Sequence, residues 1–196
     1  MAKDPSHPAP GSLEVVRQFV NTEDVYGDED LLTDLETARP WLAAHHLVTE
    51  PARTDEIDLA MLRRMRKTLR DLAVATTTGE PPPGSVIEEL NALTSNVGSR
   101  PEFRRLDSNS TARLASTLVA TQQGASGAVA ILAAAVHDAV RDGTWLRLKA
   151  CTNPECTWLF YDTSRSRTGR WCSMRACGNI MKARTYRSRG RPSSGP

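Results

Sequence analysis

The four cysteines of this 196-residue chain stand at positions 151, 156, 172 and 177, and none precedes them. Each close pair encloses four residues, and fifteen residues separate the pairs. That spacing suits tetrahedral Zn2+: each tight turn delivers two thiolates to one side of the metal, and the insert lets the chain return. The first pair encloses Thr-Asn-Pro-Glu, a turn-forming run. Two disulfides or a redox dithiol pair are the competing reading; a basic, aromatic-poor and intracellular chain suits zinc better. Cys151, Cys156, Cys172 and Cys177 are therefore the expected ligands of one structural Zn2+. Four thiolates close the coordination sphere and leave no position for a catalytic water.

The net charge of +2 hides a division. Residues 1–146 hold 14 Lys+Arg against 21 Asp+Glu, whereas residues 147–196 hold 11 against 2. A segment that basic seeks a polyanion, which points to nucleic acid or an anionic surface. The longest apolar stretch, residues 125–136, is shorter than the roughly 20 residues a membrane span needs. The N-terminus lacks the apolar core of a signal peptide, so a soluble, cytoplasmic protein is expected.

Periodicity predicts a mainly helical N-terminal domain with a small antiparallel sheet. Residues 1–12 read as disordered, and residues 13–22 mix strand and helix signals. A helix is expected over 28–46, with a break at Pro40, Asp28, Glu29 and Asp30 at its N-terminus and Trp41 in the core. A second helix is expected from an N-cap at Thr54 to about residue 76; its run Arg63, Arg64, Arg66, Lys67, Arg70 reads as a solvated face. Ser85 and Glu88 form a capping-box pattern for a third. Strands over 101–106 and 111–119, joined by the turn Asp107-Ser108-Asn109, precede an Ala-rich helix over 122–141 that Gly143 stops. A short strand over 145–149 leads to the first cysteine.

In the cysteine segment, Trp158 to Tyr161 and Arg170-Trp171 read as a hairpin, and Cys172 opens a helix with Ser173 at its N-cap. About 45 residues bury too little surface to fold alone and need a metal staple. Projecting 173–189 at 100° per residue places Met174, Cys177 and Met181 towards the metal. Arg175, Asn179, Lys182, Tyr186 and Arg189 fall on the opposite side, where they suit a DNA major groove. Arg165, Arg167 and Arg170 would hold a flanking phosphate, and Arg184 and Arg187 extend the charge. A solvated helix face is the plainer reading, against which stands the near absence of acids. The tail Arg189-Gly190-Arg191-Pro192 resembles an AT-hook core, although a plain disordered tail over 190–196 is the simpler reading.

Cys-Thr-Asn-Pro-Glu-Cys, Trp-Leu-Phe-Tyr-Asp-Thr-Ser-Arg, Arg-Trp-Cys-Ser-Met and Cys177-Gly178-Asn179 together resemble the CGNR-type treble-clef zinc finger of bacterial proteins, over residues 147–189. Residues 13–146 are similar to its companion ABATE domain, through the Phe-Val-Asn-Thr run at 19–22. The resemblance implies an α+β chain: a helical sensing domain followed by a treble-clef finger, acting as a stress-responsive transcription regulator that binds DNA. It places Asn21 and Thr22 at the border of a small-molecule pocket. Where the motif has Arg, this chain has Ile180; Lys182 and Arg184 stand close enough to compensate. RNA or ribosome binding, and a protein-interaction module with a purely structural zinc, are the rival functions. No phosphate loop, GxGxxG, GxSxG or HExxH occurs and the adjacent His45 and His46 make a poor metal pair, so an enzyme is not expected. A homodimer would suit a two-fold DNA site.

Overall fold

Leu13, Val16, Phe19 and Val20 recur at helical spacing and are buried, so the ambiguous opening resolves into α1 (Leu13–Val20). The computed structural model describes residues 8–25, 27–48, 56–106, 114–156 and 158–189. Within them the expected disordered start is corrected from residue 8 onward. Ala9 is buried, and its N–H donates to Glu14 Oε2 at 2.7 Å. The tail 190–196 and the turn at Asp107-Ser108-Asn109 lie outside the described residues, as does the N-cap expected at Thr54.

The acidic run after Asn21 does not open a helix. It folds back as β1 (Glu23–Asp24) and β2 (Glu29–Asp30), with Glu23 opposite Asp30 and Asp24 opposite Glu29. Arginines of the long helix α3 (Glu56–Thr78) explain this. Arg66 grips Asp30 with two hydrogen bonds of 2.5 and 2.7 Å, and Arg70 reaches Glu23 at 2.5 Å. Arg63 donates to the carbonyls of Leu32 and Thr33. The run read as a solvated face is thus partly an inward clamp: Arg66 is only 5% exposed, while Arg64 and Lys67 remain exposed.

Helix α2 (Leu35–Ala44) starts later than expected, where the Asp34 side chain caps Thr37 N–H at 2.9 Å. It passes through Pro40, which lies on the exposed side of the helix and lacks the N–H of the missing helical bond. Helix α4 (Gly84–Thr94) is capped by Pro83 rather than by Ser85, and the capping box does not form. The fixed φ of Pro83 starts the helix first, with Val86 N–H donating to its carbonyl at 3.0 Å.

Strands β3 (Ser99–Arg105) and β4 (Leu114–Ala120) form an antiparallel ribbon, with Ser99 opposite Ala120 and Arg105 opposite Leu114. The Ala-rich helix α5 (Gly124–Asp142) buries Leu132 together with Ala128, Ala135 and Ala139, and it packs against α3. Gly143 ends it with φ +78°, a conformation few other residues adopt.

The cysteine segment begins on this same core. A 3-10 turn (Thr144–Arg147) replaces the first half of the expected strand. Strand β5 (Leu148–Ala150) then pairs antiparallel with β6 (Leu159–Tyr161), Ala150 opposite Leu159. The hairpin therefore closes around the first cysteine pair, not between residues 158–161 and Arg170-Trp171. Leu148 and Leu159 are fully buried among the residues of α1, α3 and α5. Asn21 exchanges two side-chain hydrogen bonds with the Leu159 backbone, at 2.9 and 2.7 Å. On the other strand Thr77 Oγ1 accepts from Ala150 N–H at 2.8 Å. The finger is rooted in the helical core rather than appended to it. Among the described residues no helix is long and apolar enough to cross a membrane.

Asn21→Ala leaves the buried Leu159 N–H and carbonyl without partners. It is expected to cost about 2 kcal/mol. In thermal melts of zinc-loaded protein this appears as a midpoint lowered by roughly 4–8 °C. If helices and finger share one core, the melt remains a single transition; two separate transitions would contradict that.

Candidate metal centre and nucleic-acid interface

Each cysteine is delivered by a distinct local device. Cys151 follows β5 directly, its N–H donating to Trp158 carbonyl at 3.0 Å. Cys156 closes a turn by donating to Asn153 carbonyl at 2.8 Å. Thr152 N–H and Oγ1 both donate to Arg170 carbonyl, at 2.8 and 3.0 Å, which brings the returning chain and Cys172 alongside. The Ser173 side chain then caps Ala176 N–H at 3.3 Å and starts a π-turn (Met174–Gly178) that carries Cys177. Gly178 lets Met174 fold over the turn: a Cβ would lie 2.5 Å from Met174 Sδ and displace that exposed side chain. Helix α6 (Asn179–Arg189) continues from it.

The four Sγ atoms all lie within 4.8 Å of one another. The spacings Cys156–Cys172 and Cys172–Cys177 are 3.8 and 3.7 Å. A tetrahedron with Zn–S bonds of about 2.3 Å requires S···S of about 3.8 Å, so the geometry fits the ion. It does not fit two disulfides, since bonded sulfurs lie about 2.05 Å apart. Charge leads to the same ion. Hydrogen bonds from Cys156 and Cys172 hold the Cys151 thiol far below its ordinary range. Those same contacts with Cys151 push Cys156 and Cys172 up. One thiolate thus resists the next, and a dication lets all four ionise. Asn153, fully buried, donates from Nδ2 to Cys177 Sγ at 3.5 Å and orients that ligand.

A second buried group supports the loop between β6 and Cys172. Lys149 Nζ meets Asp162 Oδ2 at 2.9 Å and the carbonyl of Arg167 at 2.5 Å. Arg147 donates to the carbonyls of Asp162 and Ser164 at 2.9 and 3.1 Å. Burial raises the Asp162 carboxyl, but hydrogen bonds from Ser164, Lys149 and Gly169 outweigh it and hold the group at about 2. Gly169 makes room for this: a Cβ would stand 2.8 Å from the carboxyl carbon. Arg147 and Lys149 belong to the basic count of residues 147–196, yet both are turned onto the fold. The local signal for Lys149 is its place in a short strand two residues before a ligand, and its partner Asp162 follows directly after β6.

This frame turns the basic residues outward. Arg165, Arg167 and Arg170 are exposed on the loop, and Arg175 is exposed on the π-turn. Asn179, Lys182 and Tyr186 share one exposed face of α6, with Tyr186 81% accessible. Arg187 is exposed, with Nε donating to Ala183 carbonyl at 3.3 Å; Arg189 ends the helix. Arg184 is drawn aside into an ion pair with Glu155. The single continuous helix projected over 173–189 is corrected at its start. The π-turn rotates Met174 outwards to 46% exposure, while Ile180 and Met181 are partly buried. Asn21 and Thr22 serve first as ties. Thr22 Oγ1 donates to Phe19 carbonyl at 2.8 Å and accepts from Arg66 at 3.0 Å. Both also line a cleft with Trp41, His45 and Trp158.

These features define a helical domain from whose core a four-thiolate treble-clef finger grows. The family model described as "Putative stress-induced transcription regulator", ABATE, matches residues 13–143, and that of the CGNR zinc finger matches residues 147–190. The first alone spans more than half of the chain, which therefore belongs to the ABATE family and carries a CGNR zinc finger at its C-terminal end. No curated protein matches the chain.

Elemental analysis of reduced protein should return one zinc per chain, and Cys172→Ser should lose it. Asp162→Asn is expected to cost about 3 kcal/mol at neutral pH, because Lys149 stays buried without its counter-charge. The depressed carboxyl means that Asp162 contributes fully above the unfolded value near 4 and loses that contribution as pH falls towards 2. Urea titrations of both proteins should accordingly converge over that window.

Proposed function

We propose that the chain is a zinc-dependent DNA-binding transcription regulator, which acts by binding and not by turnover. The observation that carries this is the exposed rim of Arg165, Arg167, Arg170, Arg175, Lys182 and Arg187, mounted on the thiolate cluster with Asn179 and Tyr186 on the adjoining helix face. The zinc supplies rigidity: it fixes the loop and the helix relative to each other, so the cations meet a polyanion without first being ordered. Lys and Arg suit phosphates and guanine edges, and Asn179 suits an adenine edge. The family description supports DNA as the polyanion. The helical domain is the part that senses a ligand, and its shared core with β5 and β6 gives that event a route to the finger.

With roughly five phosphates engaged, the logarithm of duplex affinity should fall with the logarithm of salt with a slope of about −4.5. Replacing Arg175 and Lys182 by Ala together should flatten the slope by about 2. Fluorescence anisotropy with labelled duplex checks both, and a salt-insensitive affinity would sink the reading. Preferential competition by structured RNA would move the function from DNA to RNA.

A further inference from the structure

Strands β3 and β4 pair with each other and with no third strand among the described residues. A two-stranded ribbon is marginal by itself and gains stability from further strands or from a covering helix. Helix α5 packs more against β4 than against β3. That leaves β3 as an outer strand, exposed at every residue except the half-buried Glu102. Phe103 on β3 and Leu114 on β4 are each 64% accessible. Both stand on one face of the ribbon, since Phe103 lies opposite Ser116 and Arg105 opposite Leu114.

One hydrogen bond shows which backbone groups the outer edge presents. Thr121 N–H donates to the Gly98 carbonyl at 2.9 Å, one step beyond Ser99 and Ala120 in the same register. Backbone groups alternate sides along a strand, so Arg100, Glu102 and Arg104 also turn theirs towards β4. Pro101, Phe103 and Arg105 turn theirs outwards. Pro101 fits that place, because it has no N–H to give to the ladder. Phe103 and Arg105 thus offer donors and acceptors to another strand.

Prolines and charges on an edge usually prevent such pairing. Here they select one register for a second copy of β3 running antiparallel. Centred on Pro101, the two residues that must exchange both bonds have no donor. Centred on Glu102, Glu102 meets the partner's Glu102 and Arg100 meets the partner's Arg104, so like charges oppose each other. Centred on Arg104, two guanidinium groups meet. Centred on Phe103, each Glu102 meets the partner's Arg104, and the two Phe103 rings meet on the other face. The charges are available for this. Glu102 holds Arg100 only loosely, at 3.7 Å, and Arg104 forms no ion pair among the described residues.

We propose that β3 is the dimerisation edge of this chain and joins a second copy across a two-fold axis between the two Phe103 side chains. The two ribbons then form one four-stranded sheet in the order β4-β3-β3-β4. The self-complementary run Glu102-Phe103-Arg104 favours a second copy over a foreign strand, because one sequence supplies both charges and both rings. The arginine rim of the finger takes no part, so the inference stands apart from DNA binding.

Sedimentation equilibrium of the full zinc-loaded chain without DNA tests it. An interface of two short strands falls below about 1,200 Å2, so a reversible dimer with Kd on the order of 10 μM is expected. Arg104→Glu and Glu102→Arg should each weaken the dimer by about tenfold at low salt, because each sets like charges opposite each other at two places. Mixed in equal amounts, the two variants should associate with each other about as tightly as the native chain with itself, since every pair is then of opposite sign. A native chain that stays monomeric to about 1 mM would overturn the proposal. So would a native dimer indifferent to both substitutions, or a mixture no more associated than its separate components.

Discussion

Four thiol sulfurs held within 4.8 Å form an arrangement that a protein sustains only with a cation among them or with protons shared between them. The rest of the finger follows from this confinement. The chain between Cys156 and Cys172 contains one three-residue strand and a polar loop, too little apolar surface to hold its own shape. The sulfur cluster fixes both ends of that loop, and Lys149 pulls the Arg167 carbonyl inward from beneath. With the backbone held from inside, the arginine side chains have solvent as their remaining direction. A basic surface made this way is ordered by groups that never touch a partner.

The second constraint is the burial of Leu148 and Leu159. A zinc finger isolated on a linker would expose both. Here they fill the space between α1 and α3, and their backbones are met by Asn21 and Thr77, one from each helix region. Metal binding and helical packing thus stabilise the same two strands, and neither half can loosen without exposing apolar surface of the other.

Legibility in the sequence followed the range of the interaction. The cysteine ligands were readable because ligand spacing is local and the metal tolerates few alternatives. Gly143 as a helix stop was readable because the left-handed conformation is local as well. The misread parts were set by contacts far apart in sequence. Arg66 looks like a surface residue of an amphipathic helix until Asp30, 36 residues away, is brought against it. The partner of β6 was misassigned because local pattern favours the nearer Arg170-Trp171, whereas packing of Leu148 and Leu159 against the helices selects β5. The π-turn could not be seen in a pattern assumed to advance 100° per residue throughout.

The position of Asn21 brings these strands of argument together. Its amide bridges α1 to β6, its side chain borders the cleft, and β6 leads back through Trp158 towards Cys156. Trp158 lines the cleft, its carbonyl accepts from Cys151 N–H, and its neighbour Leu159 is held both by Asn21 and by pairing with Ala150, so one short stretch of backbone serves the helical core and the metal centre together.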